Sequence, residues 1–133
     1  MTCDVSFKIA KLAEGNESYA AFNRRIFNTK MPVIGVRVPD LRRLARELAP
    51  NMSAADISEL LTVQDKSFDY VLLCGLLITH ARIDDQTAID LTKQYLPHVD
   101  SWAHIDVFVE KKRRFASEAW WDFALECLQS EAE

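Results

Sequence analysis

Along its whole length the chain spaces its apolar residues by three and four, the interval that lines one side of an α-helix, and strand-type alternation is nearly absent. Ile9, Leu12 and Ala13 mark a first helix, and Tyr19, Phe22, Ile26 and Phe27 mark a second. Gly15 separates them, and Asn16 stands where the second helix wants a cap. The stretch from Asn28 to Val38 reads as a loop, because Pro32, Gly35 and Pro39 each interrupt regular structure for a different backbone reason. Pro39 then suits the first turn of a third helix, with Leu41, Leu44, Ala45 and Leu48 on one side and Arg42, Arg43 and Arg46 on its outer face. Pro50 ends it.

Ser53 is expected to cap a fourth helix bearing Ile57, Leu60 and Leu61, with Asp56 at the capping-box position three residues on. Asp65 is expected to start a longer one, Phe68 to Thr79, which is apolar on almost every side and so belongs between neighbours. Asp84 and Asp85 open a segment running through Ala88, Ile89, Leu91 and Leu96 toward Pro97. Asp100 is read as opening a helix with Trp102, Ile105 and Phe108, and a final helix covers about Ser117 to Leu128. Seven or eight short helices joined by brief turns predict an all-α fold, antiparallel pairs stacked side by side as a HEAT-like α-solenoid. No fixed sequence period is visible, so a compact helical bundle also fits the pattern.

Composition narrows this further. With 133 residues, 49% of them hydrophobic, the chain can bury one core but not two, which predicts a single domain over residues 1–133. Cys3, Cys74 and Cys127 are odd in number and lack C-x-x-C spacing or a histidine partner, so they read as reduced thiols of a cytoplasmic protein with no metal site. The longest apolar run, Tyr70 to Thr79, is about half of what a bilayer-spanning helix needs, and Asp4 stands where an export signal wants positive charge. No membrane partner is expected.

The net charge of −4 hides an asymmetry. Residues 1–50 hold nine Lys and Arg against five Asp and Glu, whereas residues 51–110 hold three against ten. Lys30, Arg37, Arg42, Arg43 and Arg46 gather around a Gly/Pro loop and the helix after it, where backbone N–H groups add positive potential suited to phosphate. Lys111, Lys112, Arg113 and Arg114 form a second basic run that suits a phosphodiester backbone if it lines a groove. For each group, a solvated helix face or a basic turn is the alternative.

Trp102 and Asp106 are four residues apart, so a helix presents the indole and the carboxylate on one face. That pairing can stabilise a cationic ligand or a carbocation-like transition state; a core Trp beside a surface Asp has the same spacing. Adjacent Trp120 and Trp121 point about 100° apart on a helix, so at most one can be fully in a core. His80, His98 and His104 have neither metal spacing nor a paired nucleophile and read as surface or hydrogen-bonding residues.

The blocks Asn28-Thr-Lys30, Ile34-Gly-Val-Arg37, Pro39-Asp-Leu-Arg-Arg-Leu-Ala45, Phe68-Asp-Tyr-Val-Leu-Leu-Cys-Gly-Leu-Leu-Ile78 and Asp100-Ser-Trp102 with Asp106 resemble, in order and spacing, consecutive blocks of the DNA alkylation repair family of helical-repeat DNA glycosylases. The resemblance covers essentially residues 15–130 and corresponds to the N-terminal part of a longer family architecture. It implies a HEAT-like solenoid whose concave basic face holds duplex DNA, and excision of cationic N3- and N7-alkylated purines without a metal or organic cofactor. It places Asp106 and Trp102 on the family's catalytic Asp and Trp, and Ile26 where some active members carry a Tyr. The alternatives are a non-catalytic helical-repeat module that binds nucleic acid or protein, and a chain that self-associates through an apolar end carrying Trp120 or Trp121.

Overall fold

The computed structural model describes residues 2–64, 66–110 and 112–132, with side chains described throughout these except for residues 2–3, 112 and 130–132. Among the described residues there are eight α-helices and no strand: α1 Thr2–Leu12, α2 Glu17–Ile26, α3 Val38–Leu48, α4 Ala54–Leu61, α5 Phe68–His80, α6 Asp85–Tyr95, α7 Trp102–Phe108 and α8 Glu118–Ala132. Short 3₁₀ turns cover Ala49–Asn51, Leu96–His98 and Lys112–Phe115.

The helices stack in two layers. In one layer α3 and α7 flank α5; in the other α4, α6 and α8 follow one another. The layers meet where α5 packs on α4 and α6, the solenoid-like arrangement that the sequence predicts. Buried from Phe68 to Thr79, α5 is the central rod of the core, as its lack of a polar face requires. Its Gly75 lets α6 and α7 approach: a Cβ there would stand 2.7 Å from the Tyr95 hydroxyl and 3.3 Å from the Phe108 ring.

Local signals account for most helix starts. Ser53 and Asp56 form the reciprocal capping box over α4, and the Asp84 side chain accepts the Thr87 N–H at the start of α6. Pro39 lies in the first turn of α3. Three expectations need correction. Asn16 precedes α2 but makes no cap bond, because its side-chain amide donates to the Gly35 carbonyl instead, at 3.1 Å. Asp65 lies outside the described residues, and Ser67 caps α5 by accepting the Tyr70 N–H. Asp100 does not open α7; Ser101 does, accepting the Ala103 N–H, which frees Asp100 for other partners. No helix among the described residues is long and apolar enough to cross a membrane.

Candidate functional site

The loop between α2 and α3 is ordered by two carboxylates that come from far along the chain. Asp69, on the first turn of α5, is only 2% exposed, and its oxygens accept the backbone N–H groups of Ile34 (2.7 Å), Gly35 (3.2 Å) and Val36 (2.8 Å). Three donors converging on one carboxylate offset the cost of burying its charge. The Phe68 N–H in turn donates to the Pro32 carbonyl, so loop and helix start are interlocked. Gly35 has φ +103° and packs on α2 so closely that a Cβ would lie 2.8 Å from that of Ala20. Only glycine meets both conditions.

Asp100 holds the other end of the same loop. It accepts the Thr29 hydroxyl at 2.8 Å and the Lys30 N–H at 2.9 Å. Next to it, the Ser101 hydroxyl donates to the Phe27 carbonyl at 2.7 Å. Between these attachment points Asn28 adopts a left-handed backbone, φ 49°, a conformation that asparagine tolerates better than most residues.

This carpentry sets the environment of α7. The Phe27 ring stacks on Phe68 with centroids 5.0 Å apart, and the Trp102 indole meets Phe27 edge-on at 5.4 Å. Trp102 is nevertheless 55% exposed, because it sits on the first turn of α7 and presents the rest of its ring to solvent. Asp106 lies one turn on, exposed, with no hydrogen-bond or ionic partner among the described residues. Indole and free carboxylate therefore form a shelf on one side of α7. The aromatic neighbour of Trp102 is Phe27, the residue after Ile26.

His104 lies behind that shelf, fully buried. Its Nε2 is 3.2 Å from the Phe68 carbonyl, which can only accept, so Nε2 carries the proton. Nδ1 then faces Asp100 at 3.8 Å with no hydrogen-bond partner. Burial holds the imidazole below its ordinary pKa, outweighing the upward pull of the Phe68 carbonyl and of Asp100 and Asp69. His104 is thus a neutral core residue.

The basic residues divide into engaged and free. Arg42 is paired with Glu110 across the end of α5, and Arg43 with Asp40 on its own helix at 3.3 Å. Arg37 is exposed, with its guanidinium 4.4 Å from the Tyr19 ring centroid. Lys30, Arg46 and Arg113 are exposed, and no side-chain hydrogen bond or ion pair ties them to the described residues. Lys111 lies outside the described residues, as does the side chain of Lys112. Arg114 departs from the expectation of a phosphate contact: its side chain is 12% exposed and binds Asp85 at 2.9 Å and the carbonyls of Ile83 and Asp84. It ties the 3₁₀ turn after α7 to the start of α6.

The two tryptophans of α8 separate as their spacing requires, Trp120 at 5% exposed and Trp121 at 65%. An apolar hollow of about 560 Å³ runs between α6, α7 and α8, lined by residues that include Ile105, Val109, Trp120 and Trp121. Neither Trp102 nor Asp106 takes part in it.

Sequence reasoning missed Asp69, Phe27, Thr29 and Asp100 as organisers of the site. One signal was present: Asp69 is a single carboxylate in an otherwise apolar helix, and a charge in that position needs partners.

Comparison with curated proteins and with solved structures gives no significant match. The family model described as DNA alkylation repair enzyme matches residues 9–132, which takes in both organising carboxylates, the basic helix α3 and the shelf of α7. The chain belongs to the DNA alkylation repair enzyme family.

Proposed function

We propose that the protein hydrolyses the N-glycosidic bond of cationic N3- and N7-alkylpurines in duplex DNA, with Asp106 and Trp102 as the residues that act on the sugar. The observation that carries this reading is the shelf of α7: an exposed indole steadied by Phe27 and, one turn away, a carboxylate with no partner among the described residues. A carboxylate already saturated with protein donors could not serve a developing cation. This one is available.

The chemistry needs little more. An alkylated purine carries a positive charge, so when the bond from C1′ breaks the base takes the electron pair and departs neutral, without a general acid. The sugar is left as an oxocarbenium ion, which the Asp106 carboxylate stabilises through space while the Trp102 face packs on the deoxyribose. Water then bonds to C1′, and its proton passes to Asp106 and on to solvent. Lys30, Arg37, Arg46 and Arg113 are exposed cations suited to phosphate, and Arg42 and Arg43 join them when their carboxylate partners are displaced. The side chains assigned here supply every step, so the reading calls on no cofactor.

The test is release of 7-methylguanine and 3-methyladenine from methylated duplex DNA at low salt. Wild type is expected to release them and Asp106→Asn is not. Release by neither protein sinks the reading. A second reading, a helical-repeat module that binds nucleic acid without cleaving it, draws on the exposed cations Lys30, Arg37, Arg46 and Arg113, which suit phosphate whether or not Asp106 acts on a sugar. It predicts retained DNA binding with no base release by either protein.

A further inference from the structure

We propose that Asp100 is a positioning residue, which fixes the Trp102 indole by gripping the segment Phe27–Lys30. Its bearing on base excision rests on the glycosylase reading above; its bearing on the indole does not.

The argument starts from how few anchors that segment has. After α2 the chain turns through the left-handed Asn28, a conformation that has to be held from both sides. On one side Ser101 holds the Phe27 carbonyl, and on the other Asp100 holds the Thr29 hydroxyl and the Lys30 N–H. Thr29 also accepts the Met31 N–H at 3.1 Å, which sets its hydroxyl oxygen in place for the bond to Asp100. The bonds from Phe27, Thr29 and Lys30 all reach the two residues immediately before Trp102 in the chain.

What they hold is an aromatic ring. Phe27 is wedged between Phe68, part of the rigid core, and the edge contact with Trp102. With the grip released, the turn at Asn28 can relax, Phe27 can leave the face of Phe68, and the half-exposed indole loses its lateral wall. Asp106 keeps its place on the helix, but the distance and angle between its carboxylate and the indole are no longer defined.

The other neighbour of Asp100 does not substitute for the loop. His104 Nδ1, at 3.8 Å, presents a lone pair, because the ring proton is committed to the Phe68 carbonyl. Asp100 is therefore held by loop donors. Asparagine can keep one oxygen on Thr29 and Lys30 and turn its N–H toward the His104 lone pair, whereas alanine removes both acceptor oxygens.

Incorporation of 5-fluorotryptophan gives a ¹⁹F resonance for each of Trp102, Trp120 and Trp121, and Trp102→Phe assigns the first. Asp100→Ala and Thr29→Val are expected to shift and broaden the Trp102 line while the Trp120 line stays put, and Thr29→Ser is expected to restore it. In single-turnover excision, Asp100→Ala and Thr29→Val should slow base release by roughly tenfold or more at unchanged DNA affinity, as loss of reactant orientation does.

A Trp102 line unmoved in both variants overturns the proposal. So does a loss shared by the Trp120 line together with a collapsed melting transition, which makes Asp100 a residue of the fold at large. Movement of the Trp102 line with undiminished excision removes the role in the reaction. If the line moves as expected but wild type itself releases no base, the indole is positioned by Asp100 and it is the glycosylase reading that fails.

Discussion

Two carboxylates on neighbouring helices, Asp69 in the first turn of α5 and Asp106 in the second turn of α7, show how different surroundings leave one chemical group in opposite states. Around Asp69 the chain supplies three backbone donors and excludes water, so the charge is spent on holding the loop of Gly35. Around Asp106 the described residues supply no donor and water has access. A saturated carboxylate organises the fold, whereas an unsaturated one stays free to meet a ligand. The sharpest way to break the comparison is to remove both. Asp69→Ala strands three N–H groups in the interior and should cost on the order of 3–5 kcal/mol in urea unfolding. Asp106→Ala should stay within about 0.5 kcal/mol of wild type, as surface changes do. Equal losses from the two would mean that Asp106 belongs to the fold.

How much of this was legible beforehand depends on how far apart the partners are. The capping box of Ser53 and Asp56 and the burial of α5 could be read because each is written within a few residues. Asn16 could not, because its partner, Gly35, is 19 positions away and outcompetes the local cap. Asp100 was mistaken for a helix opener for the same reason: its partners, Thr29 and Lys30, lie about 70 positions earlier, while the adjacent Ser101 meets the capping need. The shelf itself was visible as a spacing of four, but the ring that supports it was not, since nothing in the sequence says that Phe27 rather than Ile26 faces Trp102.

A second, smaller effect tests the loop that Asp69 organises. Gly35→Ala asks for a side chain at φ +103° and within 2.8 Å of Ala20. A cost of roughly 1–3 kcal/mol is expected from the backbone alone. Thermal unfolding reads it. An unchanged melting temperature would show that the loop relaxes freely and that the grip of Asp69 is loose.

His104 gives a third effect, in pH. Its pKa in the folded chain lies below that in the unfolded chain, near 6.5, because burial disfavours the imidazolium. The unfolded state therefore binds the proton more tightly. Its contribution is fully present above pH 6.5 and is lost as pH falls from there through the lower folded value. His98, whose pKa burial also lowers, adds in the same direction. Stability measured from pH 7.5 down to 5 should decline, and His104→Gln should remove part of the slope. A slope identical in the variant would place the whole effect on His98.

A further small effect on stability falls just beyond the shelf, and there the comparison turns toward ligand binding. Glu110 lies in the turn just past the end of α7, and unlike Asp106 it has a partner, Arg42 of α3, across the end of α5. Both side chains are partly solvated, Arg42 at 33% and Glu110 at 49% exposed, so Glu110→Gln should change stability by under about 1 kcal/mol. Its effect on DNA is expected to have the opposite sign from that of most surface changes. A phosphate must compete with Glu110 for Arg42, so removing the carboxylate should tighten binding and steepen its salt dependence, because one more cation is free to displace counterions. Arg42→Gln in the same background should return affinity to below wild type. Tighter binding that survives Arg42→Gln would instead mean that Glu110 acts only through the general negative field of the acidic middle of the chain, and that α3 does not share a phosphate-binding face with α7.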